Sequence, residues 1–182
     1  MLNIPNLLTV ARIISIPLFI ILLIDQLYYW ALVLFIGAAL SDAVDGLLAR
    51  LLHQRTELGT YLDPAADKLL SASSFVTLAI LNLLPGWLAV IVISRDVIIS
   101  LGILLLYFSS RPLKIRPSLP GKLTTLFQLC TISFALFFKL SPPLPYLMDF
   151  FIGATAFLTI VSGLQYLGRG IKLLNHEVRN SE

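Results

Sequence analysis

Long apolar runs, interrupted only by short polar or proline-bearing punctuation, fill this chain. Stretches such as LLTVARIISIPLFIILLI and GWLAVIVISRDVIISLGILLLYF show neither the strict alternation of strands nor the narrow apolar stripe of a soluble helix. A helix needs roughly 20 apolar residues to cross a bilayer, and six segments reach that length, at 5–26, 28–50, 60–84, 86–108, 121–140 and 145–168. Between them, NLLPGW (82–87) and LSPPLPYL (140–147) read as short uncharged turns where proline and glycine stop helices. SSRPLKIRPSLPGK (109–122) is a longer connection with four cations, and the closing NHEVRNSE reads as a frayed polar end. The pattern predicts an all-α integral membrane bundle of six transmembrane helices, forming one domain over residues 1–182.

Composition agrees: 58% of residues are hydrophobic and 13% charged, and the mean hydropathy is +0.91. A soluble domain has about 45–50% apolar and about 25% charged residues. With six crossings, one set of helix ends collects Arg12, Arg50, Arg55, Lys68, Arg111, Lys114, Arg116, Lys122, Arg169, Lys172 and Arg179, and the other only Lys139. By the positive-inside rule both termini are then cytoplasmic, and the first helix reads as an uncleaved span of the inner membrane. The basic pI of 9.2 therefore reports topology and attraction to anionic headgroups. Cations confined to helix ends give no footprint for nucleic acid. The single Cys130 lies in an apolar run, reads as a buried or lipid-facing small residue, and excludes a disulfide within the chain.

Against this background the segment SDAVDGLLARLLHQRTELGTYLDPAADKLL (41–70) stands out, because it holds four aspartates. Asp42 and Asp45 are three apart on the second helix, with Gly46 and Ala49 following on the same face. Asp63 and Asp67 are four apart at the expected start of the third. A tight hairpin over 51–58 would bring the pairs together at the inner membrane boundary. Four close carboxylates stay ionised in low dielectric only if cations compensate them, and an all-oxygen set suits Mg²⁺ or Mn²⁺. Taken singly, Asp63 before Pro64 is also a helix N-cap, and Asp42 or Asp45 also fits an ion pair with Arg50. Neither alternative employs all four.

The string Asp42-x2-Asp45-Gly46-x2-Ala49-Arg50-x8-Gly59-x3-Asp63-x3-Asp67 is similar, position for position, to the signature of the CDP-alcohol phosphatidyltransferases, membrane enzymes of phospholipid synthesis. The resemblance implies two divalent cations on Asp42, Asp45, Asp63 and Asp67, with Asp67 also acting as the base. It implies that Gly46, Ala49, Arg50, Gly59 and Thr56 surround the CDP group of CDP-diacylglycerol, and that the enzyme is a homodimer with its active site on the cytoplasmic side. In the first helix Asn6, Thr9 and Arg12 recur every three residues as a polar stripe, which resembles the opening of glycerophospholipid-making members. Polar residues near a helix start also serve as caps.

For such a transfer an acceptor hydroxyl attacks the lipid-side phosphorus of CDP-diacylglycerol and CMP leaves. Arg95 and Asp96 lie inside the fourth helix, where charged groups mark a site or a self-neutralised pair. The Arg-Asp pair, followed by RPSLPGKLTT, is more similar to the cardiolipin synthases, whose acceptor is phosphatidylglycerol. Phosphatidylglycerophosphate synthases carry a second arginine where this chain has Ile103. Lys114, Arg116 and Lys122 would supply a phosphate pocket if the acceptor is instead glycerol 3-phosphate. Intramembrane acids also build cation or proton transporters, but these aspartates lie toward one boundary and no internal repeat accompanies them.

Overall fold

The computed structural model describes residues 4–51, 57–108, 119–141 and 145–180, with side chains over 10–41, 65–102, 120–141 and 146–168. Six helices account for nearly all of it: α1 (Ile4–Ile24), α2 (Tyr28–Leu51), α3 (Glu57–Ile80), α4 (Gly86–Phe108), α5 (Leu119–Leu140) and α6 (Pro145–Asn180). No strand occurs among the described residues. At 1.5 Å per residue, helices of 21 to 24 residues measure about 32–36 Å, enough for a hydrocarbon core of about 30 Å. By length and composition, two described stretches qualify as membrane spans: Pro120–Leu140 and Tyr146–Gly168.

Two boundaries differ from expectation. Helix α3 starts at Glu57 rather than 60, so Asp63 stands in its second turn, and the N-cap reading of Asp63–Pro64 falls away. Helix α6 continues to Asn180, twelve residues past the predicted 168, so NHEVRN is helical rather than frayed. No proline interrupts that stretch, and a helix stops where its backbone is blocked, not where its hydropathy falls. Of the connection expected at 51–58, residues 52–56 lie outside the described structure.

The helices close into a ring in the order α1, α2, α5, α6, α4, α3, with α3 also touching α5 across the middle. One end of the ring is filled by an apolar core: Phe19 and Leu23 of α1, Phe35 of α2, Phe75 and Leu78 of α3, Leu88 and Val92 of α4, and Ile132 and Leu136 of α5. The Phe19 and Phe35 rings meet at 5.6 Å. At that end α1 and α3 stop in the same way. Gln26 and Asn82 adopt left-handed φ values of 59° and 56°. The next residues donate back into the helix, Leu27 N to Leu22 O and Leu83 N to Leu78 O, both at 2.8 Å, which satisfies terminal carbonyls without glycine.

Beyond that core, many large apolar residues face outward and a set of polar ones faces inward. Ile14, Leu40, Ile80, Val90, Phe157 and Leu164 are exposed, while Thr124, Gln128, Thr131, Thr155, Thr159 and Ser162 are buried. Lipid tails are as apolar as leucine, so helices in a bilayer associate through close packing and interhelical hydrogen bonds. The seam between α5 and α6 has both. Thr131 and Thr155 share a hydrogen bond of 2.7 Å, and Thr124 Oγ1 donates to the carbonyls of Pro120 and Leu158 at 2.8 and 3.0 Å.

Candidate functional site

Beneath the apolar core, on the side toward the C-terminal half of α2 and the N-terminal half of α3, the ring encloses a cavity of about 250 Å³. Five helices line it: Arg12 from α1, Phe35, Ala38 and Ala39 from α2, Asp67, Lys68, Leu70 and Ser71 from α3, Arg95 and Asp96 from α4, and Thr125, Gln128 and Leu129 from α5. Ligand sites commonly enclose about 300–1,000 Å³, so this one suits a headgroup-sized molecule rather than a whole lipid.

Four of the five charges in the cavity are arranged in two pairs. The Arg12 guanidinium is almost fully buried, with 3% side-chain exposure, and its Nη1 stands 2.9 Å from Asp67 Oδ1, whose carboxylate is 45% exposed. Ser15 Oγ donates to the Arg12 carbonyl at 2.6 Å. On the opposite wall Arg95 Nη1 donates to Asp96 Oδ1 at 2.7 Å, and these side chains are 11% and 13% exposed. Arg95 Nη2 donates to Ser162 Oγ of α6 at 2.9 Å, and its guanidinium lies 5.9 Å from the centre of the Tyr166 ring, within cation–π range. The aliphatic stem passes over Gly163, where an added Cβ would stand 3.5 Å from Arg95 Cγ. Arginine suits this position because its planar fork reaches two partners at once. Lys68 Nζ donates to Ser100 Oγ at 2.6 Å and to the Asp96 carbonyl at 3.4 Å, drawing α3 against α4.

Of the expected site residues, the structure brings Arg12, Asp67, Arg95 and Asp96 to one cavity. The side chains of Asn6, Thr9, Asp42, Asp45, Gly46, Ala49, Arg50, Gly59, Asp63, Lys114 and Arg116, and all of Thr56, lie outside the described ones. Lys122 is exposed on the first turns of α5 and is not among the cavity residues. Four polar residues of the wall, Lys68, Ser71, Thr125 and Gln128, were not singled out as site residues by the sequence pattern. Lys68 looks like one more cation at a helix end. Gln128 carried a usable signal, since it follows Thr124 by four and precedes Thr131 by three in an apolar helix, which marks a polar inner face.

Among the described side chains, no group of three or more His, Cys, Asp or Glu comes together. The backbone nevertheless puts Asp63 one turn before Asp67 on α3 and puts Asp42 and Asp45 in the last three turns of α2. Such an all-carboxylate donor set fits a hard divalent cation.

Residues 2–161 match the family model described as CDP-alcohol phosphatidyltransferase. The chain belongs to this family. The phosphatidyltransferase is 32% identical over 179 residues to a "Probable phosphatidylglycerophosphate synthase" of Mycobacterium tuberculosis, covering 93% of this chain and 82% of that protein. It is 31% identical to the CDP-diacylglycerol--glycerol-3-phosphate 3-phosphatidyltransferase of Bacillus subtilis, across 96% and 98% of the two chains. It is 39% identical to the cardiolipin synthase (CMP-forming) of Streptomyces coelicolor, across 57% and 52%. Membership makes the chain a transferase of phospholipid biosynthesis and sets the transporter reading aside.

Proposed function

We propose that this phosphatidyltransferase moves the phosphatidyl group of CDP-diacylglycerol to phosphatidylglycerol, forming cardiolipin and CMP. The carrying observation is the charge of the cavity. Three cations and two carboxylates leave a formal +1, and both arginines already stand against carboxylates. A phosphate monoester carries about −1.5 to −2 at pH 7 and calls for at least two uncompensated cations. The single charge of a phosphodiester matches +1, and the neutral glycerol beyond it suits a small polar chamber.

In this reading the acceptor hydroxyl oxygen attacks the lipid-side phosphorus, the bond from that phosphorus to the CMP oxygen breaks, and the hydroxyl proton passes to the Asp67 carboxylate. Arg12, beside Asp67, holds that carboxylate in position. Asp42, Asp45, Asp63 and Asp67 would hold two divalent cations, Mg²⁺ or Mn²⁺, which supply charge neutralisation at the transferring phosphate. Gly46, Ala49, Arg50, Thr56 and Gly59, with Asn6 and Thr9, would surround the CDP group. Six crossings as one domain over 1–182, both termini on the cytoplasmic side of the inner membrane, and a homodimer belong to the same proposal.

Glycerol 3-phosphate is the second reading. It is favoured by the names of the M. tuberculosis and B. subtilis relatives, which match along most of both chains. Purified protein given CDP-diacylglycerol and each acceptor in turn decides between them. Cardiolipin from phosphatidylglycerol is expected. Phosphatidylglycerophosphate from glycerol 3-phosphate, without cardiolipin, would reverse the choice and direct attention to Lys114, Arg116 and Lys122.

A further inference from the structure

Two uncharged polar groups in the cavity wall make no hydrogen bond among the described residues. Gln128 of α5 is 3% exposed, and its amide Nε2 has no hydrogen-bond partner among the described residues. The Ser71 hydroxyl of α3 is buried in the same condition. Both side chains line the cavity. Their neighbours behave differently: Thr124 and Thr131 of α5 bond to main-chain carbonyls and, for Thr131, to Thr155, and Ser74 of α3 bonds to the Leu70 carbonyl. Buried polar groups in native proteins are almost always satisfied. Two orphans on facing helices of one cavity therefore mark a place where a ligand completes the bonding.

We propose that Ser71 and Gln128 bind the second hydroxyl of the acceptor, the neighbour of the hydroxyl that reacts at Asp67, and so select a 1,2-diol headgroup. This inference rests on the transferase reading above. Each arginine of the cavity stands against a carboxylate and Lys68 donates to Ser100; besides Arg95 Nε, which also makes no hydrogen bond among the described residues, the capacity left over is uncharged, an amide and a hydroxyl. A ligand hydroxyl both donates and accepts. It satisfies Gln128 in either orientation of the amide, whereas a phosphate oxygen would satisfy only the donor end. Ser71 follows Asp67 by four residues, a rise of about 6 Å along the same helix face. A vicinal diol hydrogen-bonded at each end spans that distance. Serine and glutamine carry no charge, so they add recognition without altering the balance that suits the acceptor.

The test uses full-length protein in mixed micelles with CDP-diacylglycerol, Mg²⁺, and either the diol acceptor or its 1,3-propanediol analogue, which lacks only the second hydroxyl. Wild type is assayed first with both phosphatidylglycerol and glycerol 3-phosphate. Absence of CMP release with either one overturns the transferase reading and this inference with it. With an active wild type, Gln128→Met and Ser71→Ala are each expected to raise the KM for the diol about tenfold, the worth of one hydrogen bond to a buried group. Preference for diol over analogue should fall by the same factor, while the KM for CDP-diacylglycerol stays unchanged. The Tm in detergent should hold or rise, because a buried orphan has been removed. Undiminished preference in both variants overturns the inference while leaving the transferase reading standing. A fall in Tm with equal losses on diol and analogue also overturns it, since that is the signature of a structural role.

Discussion

Arg95→Met tests whether the charged wall of the cavity is organised as a unit. The substitution keeps an unbranched side chain over Gly163 but removes the guanidinium that joins Asp96, Ser162 and Tyr166. Asp96 is then left 13% exposed with its 2.7 Å partner gone. Breaking one side of a buried ion pair costs about 3–5 kcal/mol, mostly because the other charge stays buried and uncompensated. Asp96→Asn should cost less, since Arg95 keeps Ser162 and Tyr166. In the double variant Arg95→Met/Asp96→Asn no buried charge is orphaned, so its destabilisation should fall below the sum of the singles by about 1–3 kcal/mol, the usual coupling of residues in one network. Denaturant unfolding of the three proteins in the same detergent measures this. Simple additivity would refute the reasoning, because it would mean that Arg95 and Asp96 are each compensated by something else.

Changing Asp42, Asp45 or Asp63 to Asn should lower turnover by orders of magnitude at matched Mg²⁺ concentration, because each removes a carboxylate expected to hold a metal; near-normal rates would sink the two-metal proposal. Asp67→Asn should cut transfer by about 10²–10⁴-fold, the range of general-base catalysis, with CDP-diacylglycerol binding retained in a separate binding assay. Thr155→Val should cost only about 0.5–1 kcal/mol in detergent unfolding. Thr131 keeps its bond to the Phe127 carbonyl, and interhelical hydrogen bonds in membranes average about 0.6 kcal/mol.

How far the sequence revealed all this depended on what signal each feature leaves. The bounds of α4 were legible to the residue, because the Pro85–Gly86 turn and the onset of SSRP punctuate both ends. Arg95 and Asp96 were legible because adjacent charges in an apolar run have few explanations. The end of α6 was not, because the span signal is hydropathy, and it faded at Gly168 while nothing in the backbone stopped the helix. Lys68 could be read only as a cation at a helix end. Its bond to Ser100 depends on how α3 leans on α4, which no local pattern encodes. The pairing of Arg12 with Asp67 is likewise tertiary: 55 residues separate them, and only the packing of α1 against α3 brings them within 2.9 Å.

The most direct test of the central claim is release of CMP from CDP-diacylglycerol by the purified protein, followed with phosphatidylglycerol present and divalent cations either supplied or removed by a chelator. The account predicts CMP and cardiolipin in equal amounts, loss of both on chelation, and recovery when Mg²⁺ or Mn²⁺ is returned. Absence of CMP release with any glycerol-type acceptor, or release that persists undiminished through chelation, would contradict it.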